Sequence, residues 1–287
     1  MSSPDPFPVV VVGATSLVGH FLLPRLVNAG HDVTAVSRHN APSAPPAGVA
    51  WQRCDVAYEE PRLTPGAVLV HLAPLWLAPP LIRRLGSRRL RRVIAFGSTS
   101  RFTKADSTDA GERALAARLA TAEAAVSREC AAASLPWTLF RPTLIYGAGL
   151  DANVSAIARF IRRFGFFALP GATGGLRQPV HGDDLAAACE AALRLPAQAS
   201  GAYDLSGGST VSYREMVVQV FHGLGRRPRI VTLPLPLLRT TIRAAHALGA
   251  RHLSPAMVDR VQMDMCFDHT EATRDLGYKP RPFAFPG

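Results

Sequence analysis

Val9-Val10-Val11-Val12 runs directly into Gly13-Ala14-Thr15-Ser16-Leu17-Val18-Gly19. Four β-branched residues without polar alternation suit a strand buried on both faces, as in a parallel sheet. Glycines at both ends of the following turn let a helix start hard against that strand. His20 to Ala29 carries Phe21, Leu22 and Leu26 at helical spacing, with Pro24 inside it, and Gly30 is a good stop. His31 to Ser37 reads as a second strand with Val33, Ala35 and Val36 in its core. Strand, glycine turn, helix and strand in that order make a βαβ unit.

The alternation continues. Ala41 to Gly48 is a Pro/Ala-rich loop. Strands are expected at Val49–Arg53, Ala67–Leu72, Arg92–Phe96 and Trp137–Phe140, with one alanine-rich helix over Ala110–Ser134. Strands and helices alternating to about residue 145 predict an α/β fold, a Rossmann-type doubly wound parallel sheet. Beyond Gly147 helices are expected at 151–164, 183–194, 212–223 and 235–248, and short strands near 178–180, 202–205 and 229–232. We divide the chain into a dinucleotide-binding domain, 1–147, also receiving about 178–205, and a small C-terminal α/β substrate lobe, mainly 148–287. Residues 230–253 are apolar with interspersed arginines; they read as a core helix, the alternative being an interfacial membrane contact.

Apolar residues make up 48% and charged residues 18%, a globular composition. The formal charge of +11 would suit nucleic acid. Lys104 and Lys279 are the only lysines, however, and the arginine excess accompanies abundant alanine and proline. Compositional bias is the simpler reading, and no nucleic-acid partner is expected. Arg83, Arg84, Arg88, Arg89, Arg91 and Arg92 form a basic cluster, read as a solvated helix and loop; an acidic partner or anionic membrane surface is the alternative. Cys54, Cys130, Cys189 and Cys266 lack metal-ligand spacing and read as reduced, mostly buried thiols. His222, His246, His252 and His269 also lack ligand spacing, so no metal is expected; His71 and His181 read as satisfied core histidines. No apolar run reaches the roughly 18 residues of a spanning helix. Met1 to Pro8 has no signal-peptide pattern, so a cytoplasmic location is expected.

A glycine turn opening a helix suits a pyrophosphate, because the helix N-terminus presents free N–H groups and a positive dipole end. Gly13, Thr15, Ser16, Leu17, Val18 and Gly19 are the candidate contacts. Ser16 stands where the motif has its middle glycine; its N–H and hydroxyl are expected to remain available to phosphate. The second strand ends Val36-Ser37-Arg38-His39 with no carboxylate to take a ribose 2′-hydroxyl. Arg38 and Ser37 can instead bind a 2′-phosphate, so NADP(H) is expected in preference to NAD(H).

The turn resembles the opening of the extended and atypical short-chain dehydrogenase/reductases, the NAD-dependent epimerase/dehydratase group. Further segments agree. Cys54-Asp55-Val56 is similar to the family segment beside the adenine, and His71-Leu72-Ala73-Pro74 to the strand end beneath the cofactor ribose. Phe96-Gly97-Ser98-Thr99-Ser100 resembles the serine-rich strand end, and Arg141-Pro142-Thr143-Leu144-Ile145-Tyr146-Gly147 the turn near the nicotinamide. Arg177 to Ala186 and Leu276 to Pro280 also match family segments. The resemblance implies cofactor contacts at Asp55, Val56, Leu72, Ala73, Pro74, Ser98, Arg141 and Pro142. It implies substrate contacts at Ser100 and at Arg177, the latter matching an arginine that binds the diphosphate of nucleotide sugars.

One departure bears on activity. The family carries Tyr-x-x-x-Lys on its long helix, with a glutamate four residues after the lysine. Glu123 matches the glutamate, which puts Leu115 and Leu119 at the tyrosine and lysine positions. Leucine can neither transfer a proton nor hold a ribose. Thr99, Lys104 and Tyr146 are the remaining candidates for the catalytic hydroxyl or proton donor, with water as another source. Asp184 reads as a helix N-cap. Two functions follow. One is an NAD(P)-dependent oxidoreductase acting on a carbonyl or hydroxyl compound, with a nucleotide-linked sugar as leading class. The other is a non-catalytic NADP-binding redox sensor, assembly factor or complex subunit. A homodimer and a peripheral membrane contact are compatible with either.

Overall fold

The computed structural model describes residues 6–171, 174–196, 198–234 and 261–286. The helix expected at 235–248, and most of 230–253, lie outside them. Strands β1 (Pro8–Val12), β2 (Asp32–Ser37), β3 (Val49–Arg53), β4 (Ala67–His71), β5 (Leu90–Phe96), β6 (Trp137–Pro142) and β11 (Gly201–Leu205) form one sheet in the order β11-β6-β5-β4-β1-β2-β3. Every neighbouring pair is parallel; Val9 lies opposite both Val33 and Val68. The order reverses beside β1, so a crevice opens above the carboxyl ends of β1 and β4, where α/β sheets of this kind bind ligands.

Helices cover both faces. On one, α1 (Leu17–Asn28) and α6 (Gly182–Ala192) bury Leu22, Leu26, Leu185 and Cys189 against Val9 and Val11. On the other, α2 (Ala78–Arg89) and α4 (Ala110–Ala132) bury Ile82, Leu119 and Val126 against Val10 and Val12. The alternating strand period thus sends consecutive valines of β1 into two different cores, and the tetravaline run has no polar position because neither face meets water. Contact between α1 and α6 depends on Gly182: a Cβ there would lie 2.1 Å from Leu17 Cδ2.

Helix α2 was expected only as part of a solvated basic segment. Prolines in its first turn fit there because those N–H groups lack helical partners anyway. Its buried apolar face is Ala78, Pro79, Leu81, Ile82 and Leu85, and Gly86 (φ 55°) interrupts it. The solvated reading is corrected at Arg92, which lies in β5, is buried, and donates to the carbonyls of Leu195 (2.9 Å) and Pro196 (2.6 Å). Arg83 pairs with Glu129 at 2.6 Å. Cys54, Cys130 and Cys189 are buried and Cys266 is exposed, all as free thiols; burial pushes the Cys54 thiol up to about 11.

The remaining described elements are α3 (Ser100–Thr103), β7 (Ile145–Tyr146), α5 (Val154–Phe164), β8 (Phe167–Pro170), β9 (Leu176–Arg177), β10 (Val180–His181), β12 (Val211–Ser212), α7 (Tyr213–Gly223), β13 (Ile230–Leu233) and α8 (Thr270–Leu276). A third core joins Tyr146, Ile157, Ile161, Val217, Phe221 and Phe283. A capping box of Ser212 and Glu215 opens α7. No helix among the described residues is long and apolar enough to cross a membrane.

One sequence expectation needs correction at α6. Its N-cap is His181, whose Nδ1 accepts from the Asp183 N–H (3.2 Å), not Asp184. Asp184 instead accepts from the Arg281 backbone N–H (3.0 Å) and Nε (2.8 Å), clamping the C-terminal segment to the helix. Asp183 takes Arg25 (2.7 Å) and Arg281 (2.6 Å). The Arg25 hydrogen bond above all holds the Asp183 carboxyl below its usual value. A depressed carboxylate stabilises the fold above its unfolded pKa, and that stabilisation is lost as pH falls through the folded value. We therefore expect Asp183→Asn to cost about 1–3 kcal/mol at neutral pH and less at acid pH. Urea midpoints at the two pH values check this; an equal loss at both would show that the charge is irrelevant.

His71 is the other correction. It is fully buried, and Nε2 lies 3.3 Å from the Pro74 carbonyl, but Nδ1 has no partner among the described residues. Burial pulls its pKa down to about 4, so the ring is neutral at pH 7.

Candidate functional site

At the end of β1, Gly13 adopts φ 79° and donates its N–H to the Val36 carbonyl at 3.0 Å. A Cβ on Gly13 would lie 2.6 Å from the Ala73 nitrogen and 2.8 Å from the Leu72 carbonyl carbon; one on Gly19 would lie 2.3 Å from the Ala14 oxygen. Gly13 is thus required for the turn to close against the end of β4, and Gly19 for α1 to start against Ala14. Ser16 behaves differently from expectation. Its N–H is spent on the Gly13 carbonyl (2.9 Å), and its hydroxyl caps α1 by accepting from the Gly19 N–H (3.2 Å). The N–H groups of Thr15, Leu17 and Val18 have no acceptor among the described residues. These three carry the anion-binding capacity of the turn, and Ser16 holds its shape.

At the end of β2, Ser37 is buried and closes a local turn: its hydroxyl donates to the His39 carbonyl (2.6 Å) and accepts from the His39 N–H (3.0 Å). That turn leaves Arg38 exposed, without hydrogen bond or ion pair among the described residues. In register opposite Ser37 stands Arg53, also exposed and unpaired among them. Two adjacent strand ends, of β2 and β3, therefore carry two exposed arginines. Sequence reading missed Arg53 because nothing local distinguishes it from the other arginines; only strand pairing brings it to Ser37. Asp55 accepts the Ala57 N–H at 3.1 Å and Val56 is buried.

The positions named for proton transfer are mostly engaged. Thr99 is buried, and both its N–H (3.2 Å) and hydroxyl (3.1 Å) donate to the Pro142 carbonyl. Ser98 accepts from the Ser100 N–H at 3.1 Å. Lys104 Nζ lies 3.4 Å from Glu112 Oε1. Tyr146 packs edge-on against His181 and Phe283 in the C-terminal core, its hydroxyl 3.5 Å from the Ala284 nitrogen, and burial raises its pKa. On α4, Leu119 is buried and Leu115 half-buried, both in the apolar layer.

Glu123 is buried next in that row. One carboxylate oxygen, Oε2, takes both Arg101 and Arg141, the latter through Nε at 2.9 Å. Arg141 Nη1 also lies 3.5 Å from Asp204, and both guanidiniums sit near the Phe102 ring, at 4.8 and 5.4 Å. Arg177 is buried away from this cluster and donates to the carbonyls of Leu176 (2.8 Å) and Met263 (2.5 Å). The fold thus gathers Ser98, Thr99, Ser100, Arg141 and Pro142 at the carboxyl ends of β5 and β6. It sets Tyr146 in the core formed with α5 and α7, and Arg177 in β9.

No protein-family model matches the chain. Over 96% of its length it superposes on MoeE5 in complex with UDP-glucose and NAD (TM-score 0.70, 19% identity, 94% of that chain). The Thermus thermophilus UDP-glucose 4-epimerase complex with NAD gives TM-score 0.69 at 19% identity, over 96% of this chain and 94% of that one. The Bacillus cereus UDP-glucuronic acid 4-epimerase in complex with NAD gives 0.70 at 13%, over 96% and 92%. The chain has the epimerase/dehydratase fold. Among curated sequences, uncharacterized protein y4nG of Sinorhizobium fredii is 29% identical over 50% of this chain and 36% of its own length. Uncharacterized protein Rv2047c of Mycobacterium tuberculosis is 26% identical over 87% of this chain and 26% of its own. A mitochondrial NADH dehydrogenase 1 alpha subcomplex subunit 9 of Arabidopsis thaliana is 29% identical over 42% and 30%. The chain therefore spans about a third or less of the length of these relatives.

Proposed function

We propose that this chain is an NADP(H)-dependent oxidoreductase acting on the carbonyl or hydroxyl group of a small molecule, with a nucleotide-linked sugar as the leading class. The observation that carries the proposal is the glycine cradle: a turn with no room for a Cβ at either end and three unsatisfied N–H groups opening α1. Such a cradle fits a pyrophosphate. Arg38 and Arg53 supply the 2′-phosphate clamp, and no carboxylate ends β2 to favour NAD(H). UDP-sugars as substrate class rest on the superposed structures holding them.

In this reading Gly13 and Gly19 admit the cofactor backbone, and Leu17 and Val18 donate to its phosphates. When bound, the cofactor supplies the hydride. Leu72, Ala73 and Pro74 form the floor beside the turn. Thr99 orients the Pro142 carbonyl and offers its lone pairs to a substrate hydroxyl. Water would give the proton to a carbonyl oxygen held beside Thr99, since α4 has no tyrosine or lysine to do so.

A second reading is supported by a specific observation. The Thr99 proton is committed to the Pro142 carbonyl, and Leu115 and Leu119 replace the proton relay. A dinucleotide bound there without turnover would serve a sensor, assembly factor or complex subunit. Titration with NADPH and NADH, followed by nicotinamide fluorescence, tests the shared part. NADPH should bind more tightly, and Arg38→Ala should weaken it by about tenfold or more, the worth of a lost charge-assisted hydrogen bond, while leaving NADH unchanged. Arg53→Ala should act in the same direction. Loss of both cofactors alike would remove the clamp from the proposal. Turnover of UDP-sugars or simple carbonyls then separates enzyme from binding protein; none at saturating cofactor favours the second reading.

A further inference from the structure

The far end of the C-terminal lobe carries aromatic side chains that no core absorbs. Phe164 is 52% exposed and Phe166 37%, one on each side of Gly165, which ends α5 in a left-handed conformation (φ 75°). Phe160 joins them, with ring centroids 4.6 Å from Phe164 and 5.7 Å from Phe166. The strand paired with β8 adds Val231, 45% exposed. Three packed, partly exposed aromatic rings with an exposed valine on the neighbouring strand make an apolar surface suited to an interaction.

Its surroundings decide the partner. Arg159, Arg162 and Arg163 lie on the solvent side of α5. Arg226, Arg227 and Arg229 occupy the turn leading into β13, which touches α5 through Arg226 Nη1 on the Ile161 carbonyl (2.7 Å) and β8 through the Arg229 carbonyl on the Phe167 N–H (2.9 Å). None of these six makes an ion pair with a carboxylate among the described residues. The sequence from Val154 to Gly171 contains no acidic residue, and that from Tyr213 to Pro234 contains only Glu215, which is held in the α7 cap.

We propose that this end of the lobe docks on an anionic lipid bilayer, with Phe164 and Phe166 entering the interface and the six arginines facing the headgroups. The phenylalanines pack on one another as a single wedge rather than standing apart as platforms for successive bases, which favours a bilayer over a nucleic acid. Apolar insertion with a cationic rim is the pattern of a peripheral membrane contact. The surface lies outside the dinucleotide site, so the inference stands or falls independently of the cofactor.

Flotation of the full chain with phosphatidylcholine vesicles, with and without phosphatidylserine, is the test. Binding should require phosphatidylserine and weaken as salt rises. Arg162→Glu with Arg163→Glu should lower vesicle affinity at least about tenfold, since each cation near the surface is worth about fivefold. Phe164→Ser with Phe166→Ser should lower it comparably while leaving the circular dichroism spectrum and Tm unchanged, because both side chains are already substantially exposed. Absence of flotation with phosphatidylserine, equal binding to neutral vesicles, or binding unaffected by either pair would overturn the proposal. So would retention on single-stranded oligonucleotide together with no flotation.

Discussion

Glu123→Ala should destabilise the protein by about 3–5 kcal/mol, the cost of removing one member of a buried ionic cluster and leaving the other members uncompensated. Glu123 comes from α4, Arg101 from α3 and Arg141 from β6, so the carboxylate joins three elements at the edge of the crevice. Without it, two guanidiniums remain near one phenylalanine ring with only Asp204, 3.5 Å from Arg141, to offset them. The second oxygen, Oε1, has no partner among the described residues and faces Gly97, where a Cβ would lie 3.0 Å away. Glu123→Gln keeps the shape and one acceptor oxygen and should recover part of the loss. Urea midpoints of the three proteins measure this. A change below about 1 kcal/mol, the level of an exposed pair, would mean that the cluster adds nothing beyond a surface contact.

Gly13→Ala is the other large effect. A left-handed conformation costs a side-chain-bearing residue about 1–2 kcal/mol, and forcing atoms into a filled space adds about 1–3 kcal/mol. Both apply at Gly13, where φ is 79° and the obstructing atoms belong to the Ala73 and Leu72 backbone, which cannot rotate away. We expect a loss of about 2–5 kcal/mol and dinucleotide binding too weak to detect. Gly66→Ala is the control. Gly66 also has a positive φ, of 78°, but nothing lies within 4 Å of its would-be Cβ, so only the conformational part should be lost. Equal losses in the two variants would show that close approach at Gly13 is not what matters.

The parallel sheet and most of the helices packed on it grew from local features that a sequence displays. The tetravaline strand, the glycine turn and the helix stop at Gly30 are settled by steric preferences acting within a few residues. The long α4 was equally plain from its alanine-rich composition. Helix α2 was not, because prolines, arginines and a glycine hide a short apolar face. The short strands β8, β9 and β12 were also illegible, since two to four residues carry no periodicity.

The same division runs through the site. Chain chemistry by itself determined that a glycine cradle opens α1, that no carboxylate ends β2, and that α4 lacks a tyrosine and a lysine. These are matters of residue identity at fixed spacing. Only the tertiary structure decided which polar groups remain available. Thr99 is bound to a carbonyl 43 residues away, Ser37 turns inward on His39, Tyr146 enters a third core, and Arg53 reaches Ser37 by strand pairing. A hydroxyl or guanidinium has the same chemistry whether its hydrogen bonds are satisfied or open. Its availability depends on partners supplied by distant segments, and folding alone brings those together.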